Sequence, residues 1–250
     1  MLDIRLALTE SYVDKWVICE ATKTMNGRSK PLYLTENIGR YDYWGDRLHI
    51  VQLEVPNTWG MWDIENGQRE VLIEGYKDAA DDDIVMHSDL DEMLNPDLWP
   101  EIVDYLNEQD RPVSCALEMF VYKFDQRAER TWKNGNVVAK KRMFENPCTL
   151  YKGIGSGAGH AIKKKDRSHC VKFPKMAGWH WNWMGNDDQI KTKAESVIEH
   201  RNRNSDEVLQ QFKQGRPDLA VNHKNETFYV ADPGYPESVE RVIRQYPWWT

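Results

Sequence analysis

Residues 84–92 have the sequence IVMHSDLDE, in which a short apolar run is followed almost at once by acidic residues. The apolar run predicts a buried strand, and the acidic residues then lie at its carboxyl end, where α/β proteins commonly bind ligands. Residues two apart in extended backbone point to the same side, so Asp89 and Asp91 would present their carboxylates together. Two such oxygen ligands predict a site for Mg²⁺ or Mn²⁺, which keeps its other positions for water and phosphate oxygens.

Two other interpretations of Asp89 and Asp91 stay open at this level. An acidic turn in contact with water has the same composition. Haloacid-dehalogenase-type phosphatases also place Asp-x-Asp after a strand and use the first Asp as a nucleophile, although their pattern has Thr or Val where this sequence has Met93. A metal-dependent phosphohydrolase with Asp89 as the nucleophile is therefore an alternative function.

Predicted strands and helices alternate around this stretch. Two early strands and then two helices are predicted, in that order, at residues 15–20, 48–55, 63–80 and 95–109. Two longer strands are predicted at residues 113–130 and 137–152, and Asn134-Gly135 between them is typical of a β-hairpin turn. Early alternation followed by a hairpin predicts an α/β domain with a mixed, mostly parallel sheet flanked by helices.

The composition excludes several classes of protein. The 250 residues include 33 Lys and Arg against 40 Asp and Glu, and the net charge of −7 disfavours nucleic acid as a partner. No run approaches the roughly 18–20 apolar residues that a membrane-spanning helix requires, and the first residues lack the apolar segment of a signal peptide. We therefore expect a soluble, cytoplasmic protein without a membrane span.

A second unusual segment has three alternating tryptophans, Trp179, Trp181 and Trp183. In a strand they would share one face, and His180 and Asn182 would share the other. The indoles then predict a core face, and the polar side chains predict a face of the binding site. Exposed indoles would instead suit a non-catalytic carbohydrate-binding protein, which is a second alternative function.

The segment that follows, residues 187–201, is predicted to be helical. Lys193, Ser196 and His200 occupy positions i, i+3 and i+7 of this helix and share one face. A cation, a hydroxyl and an imidazole in this arrangement could bind a diphosphate, or they could simply contact water.

These motifs resemble those of one known family. In chain order the sequence carries Glu20, Lys30-Pro31-Leu32, Ser88-Asp89-Leu90-Asp91-Glu92, Gly178-Trp179-His180, Lys193-x-Glu195-Ser196 and His200. In this order they resemble glycosyltransferase family 17, named after the β-1,4-mannosyl-glycoprotein β-1,4-N-acetylglucosaminyltransferases, over about residues 2–202. Relatives usually have an additional strand and an Asn-Glu-type loop ahead of the equivalent of residues 2–6, and the animal members carry a membrane anchor; this sequence shows neither.

The resemblance implies a single GT-A-like nucleotide-sugar-binding domain over residues 1–250. Its donor-binding part would cover about residues 1–110, and its acceptor and catalytic part about residues 111–250. The implied reaction is inverting transfer of a sugar, GlcNAc, from a UDP-sugar to a hydroxyl acceptor on a glycan. The implied cofactor is Mn²⁺ or Mg²⁺.

The resemblance also implies roles for individual residues. Asp89 and Asp91 would bind the metal. The donor would contact a wider set, namely Glu20, Lys30, Asp89, Glu92, His180, Lys193, Ser196 and His200. GT-A enzymes often place the catalytic base at the start of a helix beside the acceptor, a position that Asp188 and Asp187 occupy here. The same two carboxylates could merely compensate the helix dipole, which contributes about 0.3–1 kcal/mol.

Overall fold

The structure is a computed structural model that describes residues 1–133, 135–145, 170–197, 203–220 and 226–245. Its helices are α1 (Leu2–Thr9), α2 (Tyr33–Glu36), α3 (Met61–Glu70), α4 (Leu72–Tyr76), α5 (Trp99–Gln109), α6 (Lys141–Glu145), α7 (Asp187–Ser196), α8 (Ser205–Lys213), α9 (Pro217–Ala220) and α10 (Glu237–Ile243), with 3₁₀ segments at Ile38–Arg47 and Pro96–Leu98. Its strands are β1 (Trp16–Ala21), β2 (Leu48–Leu53), β3 (Ile84–His87), β4 (Glu92–Leu94), β5 (Val113–Val121), β6 (Gln126–Trp132), β7 (Val137–Lys140), β8 (Val171–Asn182) and β9 (Phe228–Val230). Within these ranges, no helix has the length and apolar character needed to cross a membrane.

β1 and β2 form a small parallel sheet of their own. The two strands pair in continuous register, starting with Trp16 opposite Leu48. α4 packs closely on this sheet because Gly75 has no side chain, and a Cβ atom there would lie 2.1 Å from Cγ1 of Val17. Residues of β1 also form one wall of the cavity described below.

β5 is the central strand of a seven-stranded sheet. β6 and β7 pair in succession along one of its edges, and β8 pairs along the other. β3 extends the sheet beyond β7, β9 extends it beyond β6, and β4 extends it beyond β8. Among the described strands of this sheet, β5 and β8 form the one parallel pair, and the other pairs are antiparallel.

The prediction of a mostly parallel sheet is therefore wrong. The predicted strand at residues 113–130 divides into β5 and β6, because Tyr122 takes a left-handed conformation with a φ of 73° where the chain reverses. Parallel neighbours need a crossover of about a dozen residues or more, and only residues 122–125 separate β5 from β6. The predicted hairpin is wrong as well, since β6 and β7 both pair with β5 rather than with each other. Asn134 lies outside the described residues.

β8 carries the tryptophans that were predicted to form a core face. The rings of Trp179 and Trp181 are buried and stack, with centroids 5.8 Å apart and an angle of 6° between their planes. The Trp181 indole donates a hydrogen bond to the hydroxyl of Tyr235 (3.0 Å), which donates to the carbonyl of Phe124 (2.7 Å). Trp183 departs from the prediction, because it lies beyond the end of β8 with a φ of 61° and packs in a different part of the core.

Gly178 permits the close pairing of β4 with β8. Its φ of 156° is one that other residues rarely adopt, and a Cβ atom there would lie 2.0 Å from the carbonyl oxygen of Met93. We expect Gly178→Ala to lower the free energy of unfolding by about 3 kcal/mol, because the clash adds to the backbone strain. Urea denaturation measures the change, with Gly39→Ala as the control, since a Cβ atom at Gly39 meets nothing within 4 Å. Equal stability of the two variants would contradict this account of the pairing.

Candidate active site

A cavity of about 1370 Å³ opens beside the turn that joins β3 to β4. β3 ends at His87, so the prediction that Asp89 and Asp91 follow a strand is confirmed. Both aspartates line the cavity. Basic, polar and aromatic side chains from distant parts of the sequence line it with them, among them Arg5, Arg69, Trp132, His180, Asn182, Trp183 and Lys193.

Glu92 is a buried residue whose hydrogen bonds stabilise this turn. Its side chain is fully buried, and its two carboxylate oxygens accept hydrogen bonds from the backbone N–H of Asp89 (3.0 Å) and from the indole of Trp132 (2.6 Å). In the pairing of β4 with β8, Glu92 lies opposite His180. Glu92 is not among the described residues that line the cavity. Glu92 therefore fixes the backbone of Asp89 from the protein interior, through the hydrogen bond that it accepts from the Asp89 N–H.

Arg5 on α1 holds the same turn from the other side. Its guanidinium donates hydrogen bonds to the carbonyl oxygens of Asp89 (2.5 Å), Glu92 (2.6 Å) and Leu90 (3.3 Å). Burial lowers the pKa of Arg5, and the acidic groups around it oppose that shift. A single buried cation thus fixes three carbonyls of the turn.

Asp91 faces side chains from β8 and α7. The Lys193 ammonium lies 3.4 Å from its Oδ2, and Nε2 of His180 lies 3.5 Å from its Oδ1. Lys193 also donates a hydrogen bond to Oδ1 of Asn182 at 2.9 Å. His180 and Asn182 both line the cavity, so the prediction that they share one face of β8 is confirmed.

Asp89 faces a different cation, Arg69 on α3. The guanidinium lies 3.4 Å from Oδ1 of Asp89 and forms a closer ion pair with Glu65, at 2.7 Å. Burial lowers the pKa of Arg69, but the two carboxylates outweigh that effect and hold the pKa above its ordinary value. The two aspartates are therefore flanked by a guanidinium on one side and an ammonium on the other, an arrangement that suits a polyanionic ligand.

The donor set of this turn fits a hard divalent cation. No group of three or more His, Cys, Asp or Glu side chains gathers into a metal site among the described residues. Mg²⁺ commonly takes only one or two carboxylates from a protein and completes its shell with substrate phosphates and water. Asp89 and Asp91 offer such a pair on the cavity wall, where the side chain of Asp89 is 42% exposed and that of Asp91 is 22% exposed.

The structure places three other predicted donor contacts away from this turn. Glu20 caps α2, because its carboxylate accepts hydrogen bonds from the backbone N–H groups of Leu34 (2.7 Å) and Thr35 (2.9 Å). The ammonium of Lys30 lies 5.7 Å from the ring centre of Tyr33. Ser196 donates a hydrogen bond within α7. None of these three predicted residues is among the described residues that line the cavity, and His200 lies outside the described residues.

We expect Glu20→Gln to lower the free energy of unfolding by about 1 kcal/mol at pH 7, because capping residues contribute about that much. Burial raises the pKa of Glu20, but its hydrogen bonds from Leu34 and Thr35 outweigh burial and hold the pKa below its ordinary value. A carboxylate with a lowered pKa stabilises the fold above its unfolded pKa, and the contribution is lost as the pH falls through its folded pKa.

The stability difference between the wild type and Glu20→Gln is therefore expected to be full at pH 7 and to shrink below about pH 4.5, the ordinary glutamate pKa. Urea midpoints across this pH range measure it. Glu36→Gln is the control, because Glu36 is an exposed residue of the same helix. A difference that stays constant down to acidic pH would contradict the role of the Glu20 charge.

Asp187 and Asp188, the predicted catalytic bases, begin α7 on the protein surface. Asn186 caps this helix by accepting a hydrogen bond from the backbone N–H of Gln189, and Asp187 forms an ion pair with Lys213. Both aspartates are exposed, and neither is among the described residues that line the cavity. Their assignment stays a prediction.

Three residues of the site were not predicted from the sequence, namely Arg5, Arg69 and Trp132. Arg5 has a local signal, because it interrupts an otherwise largely apolar segment, residues 4–8 of α1. A charged residue in such a position is often buried with a partner. Arg69 and Trp132 have no such signal, because their contacts with Asp89 and Glu92 arise only when the chain folds.

Comparison with known proteins supports the resemblance seen in the motifs. The family model of glycosyltransferase family 17 matches residues 1–152, which include the acidic turn and both of the cations Arg5 and Arg69. No curated protein and no solved structure matches the chain. The match takes in more than half of the sequence, so the resemblance is confirmed: the chain belongs to glycosyltransferase family 17 and is a glycosyltransferase.

Proposed function

We propose that the protein transfers GlcNAc from UDP-GlcNAc to a hydroxyl of a glycan, with inversion at the anomeric carbon and with Mn²⁺ or Mg²⁺ as cofactor. The observation that carries this proposal is the pair Asp89 and Asp91, which open into a large cavity between two cations, Arg69 and Lys193. The family supports a nucleotide sugar as donor and a glycan as acceptor.

Arg69 and Lys193 are suited to binding the diphosphate of the donor. A guanidinium can bind two phosphate oxygens at once, and an ammonium adds a compact charge. Negative charge develops on the diphosphate as the bond to the sugar breaks, so cations fixed beside it stabilise the transition state more than the ground state. The contacts with Glu65 and Asn182 hold the two cations in place before the donor binds.

Asp89 and Asp91 are the residues that would hold the divalent cation. When bound there, the cation supplies further neutralisation of the leaving diphosphate. His180 lies within reach of Asp91 and helps to fix the position of its carboxylate. Arg5 and Glu92 keep the turn in a shape that presents both aspartates to the cavity.

Inverting transfer also requires a base that accepts the proton of the acceptor hydroxyl. Asp188 and Asp187 stay the predicted candidates. The kcat of sugar transfer by Asp188→Asn and by Asp187→Asn tests whether either aspartate is this base. Loss of a general base lowers kcat by about 10²–10⁴-fold. Near-normal turnover in both variants would show that neither aspartate is the base. Their role would then be limited to compensating the dipole at the start of α7, and another residue would have to act as the base.

The first test is a thermal-shift measurement with UDP-sugars, with and without Mn²⁺. A ligand at 100 times its Kd stabilises the native state by about 2.7 kcal/mol, which in a protein of this size corresponds to roughly 5–10 °C in Tm. We expect UDP-GlcNAc with Mn²⁺ to produce such a shift, and EDTA to remove most of it.

Two outcomes of this experiment would contradict the proposal. A Tm that no UDP-sugar changes, with or without Mn²⁺, would exclude a nucleotide-sugar site in the cavity. The second is that the wild type turns over no UDP-sugar but releases inorganic phosphate from p-nitrophenyl phosphate. If Asp89→Asn lost this phosphate release, the phosphohydrolase alternative would be favoured.

A further inference from the structure

The cavity-facing side of α3 carries Trp62, Glu65 and Arg69, at positions i, i+3 and i+7. All three side chains line the cavity. At one end of this stripe, Arg69 contacts Asp89 and Glu65. At the other end, Trp62 lies 51% exposed. The helix rises about 1.5 Å per residue, so the indole lies roughly 10 Å along the helix axis from the cation that faces the acidic turn.

Trp62 differs from the other tryptophans that the structure describes. It is exposed, whereas the other tryptophans among the described residues are buried or half-buried. An indole ring that is half exposed to water gains less free energy from the hydrophobic effect than a fully buried ring does. Trp62 lines the cavity, so a ligand in the cavity can cover its exposed ring.

Glu65 is the polar neighbour of Trp62, one helical turn away. Its side chain is only 9% exposed and lines the cavity, and its carboxylate pairs with Arg69 at 2.7 Å. A carboxylate accepts hydrogen bonds and donates none. A ligand that rests on Trp62 and reaches Glu65 therefore needs an apolar face and hydroxyl donors at its edge, which is the chemistry of a pyranose ring.

We propose that Trp62 and Glu65 form the binding subsite for a pyranose unit of the acceptor, with the apolar C–H face of the sugar on the indole and its hydroxyls donating to the carboxylate. This inference rests on the proposed function, because it takes the cavity to be the place of sugar transfer. The opposite end of the stripe, where Arg69 meets Asp89, is the donor end, so α3 places acceptor and donor in line along one wall. Leu90, which lies between the two aspartates in the sequence, is exposed and lines the same cavity.

A nucleobase is the other flat ligand that stacks on an indole. The edge of uracil carries two carbonyl oxygens for its single N–H, and a carbonyl directed at the Glu65 carboxylate is repelled. The hydroxyl-rich edge of a sugar has no such conflict. The chemistry of the pair Trp62 and Glu65 therefore favours the sugar.

The test is saturation-transfer-difference NMR with simple probes: methyl glycosides of GlcNAc, mannose and galactose, and uridine. We expect at least one methyl glycoside to bind the wild type, and Trp62→Ala to weaken its binding about tenfold. Trp62→Phe keeps an aromatic plane and is expected to retain most of the affinity. Tyr43→Ala removes a side chain that is 79% exposed and that is not among the described residues lining the cavity, and it serves as the control.

Three results would overturn the inference: no methyl glycoside binds, Trp62→Ala binds the glycoside as tightly as the wild type, or Trp62→Ala loses affinity for uridine rather than for the glycoside. The thermal shift of the wild type with UDP-GlcNAc and Mn²⁺ reports separately on the donor site. Failure of the proposed function appears in that shift, and failure of the acceptor subsite appears in the glycoside signal, so the two are distinguishable.

Discussion

Asp91→Asn is expected to lower the rate of sugar transfer on the order of 10³-fold while the protein stays folded. The amide keeps the size of the side chain but removes the negative charge that faces Lys193 and His180 at 3.4 and 3.5 Å. In the proposed function the same charge binds the divalent cation, and losing one preorganised electrostatic contact at a reacting centre commonly costs 10²–10³-fold in rate.

UDP release from UDP-GlcNAc, measured with excess Mn²⁺, gives the rate. Asp104→Asn is the matched control, because Asp104 is an exposed aspartate on α5 that is not among the described residues lining the cavity. If the activity of Asp91→Asn were within tenfold of this control, Asp91 would not be a catalytic residue. Full activity of the wild type in excess EDTA would remove the divalent cation from the proposal but leave Asp91 in place.

Arg5→Met is expected to lower the free energy of unfolding by about 3–5 kcal/mol. Methionine fills most of the same volume, but it leaves the carbonyls of Asp89, Leu90 and Glu92 without their buried donor and leaves the nearby carboxylates without a buried cation. Removing one partner of a buried charged network commonly costs this much, because the remaining groups stay desolvated.

Urea denaturation at neutral pH measures the loss. Arg40→Met is the control, because Arg40 is 66% exposed and its ion pair with Asp3 lies at the surface, where such pairs contribute about 0–1 kcal/mol. Arg5→Lys keeps the positive charge but offers a single nitrogen to three carbonyls, so its stability is expected to fall between the two. Equal stability of Arg5→Met and Arg40→Met would show that the turn does not depend on Arg5.

The parts of the site that lie within a few residues of each other were predictable from the sequence. The strand before Asp89 and Asp91, and the shared face of His180 and Asn182, follow from periodicity within one short segment. Arg5 is different, because 84 residues separate it from Asp89 and no local pattern links the two. Such contacts depend on which elements pack together, and periodicity carries no information about that.

The direction of the sheet was mispredicted for a related physical reason. Alternating or continuous apolar residues show that a segment is a strand, but they do not show which neighbour it pairs with. The reversal after β5 depends on a left-handed Tyr122, and that conformation is uncommon for a residue other than glycine. Trp183 breaks the alternation of β8 in the same way. Both are backbone conformations imposed by the surrounding fold rather than by local preference.

The alternation along β8 also constrains how this protein can change over evolutionary time. One side of the strand fills the core with Trp179 and Trp181, and the other delivers His180 and Asn182 to the cavity. Substitutions can tune either side independently, but deleting one residue upstream in the strand would exchange the two sides, because the side-chain period is two. The imidazole would then enter the core and the indoles would fill the cavity. Lineages are therefore expected to vary this strand by replacement and to conserve its length.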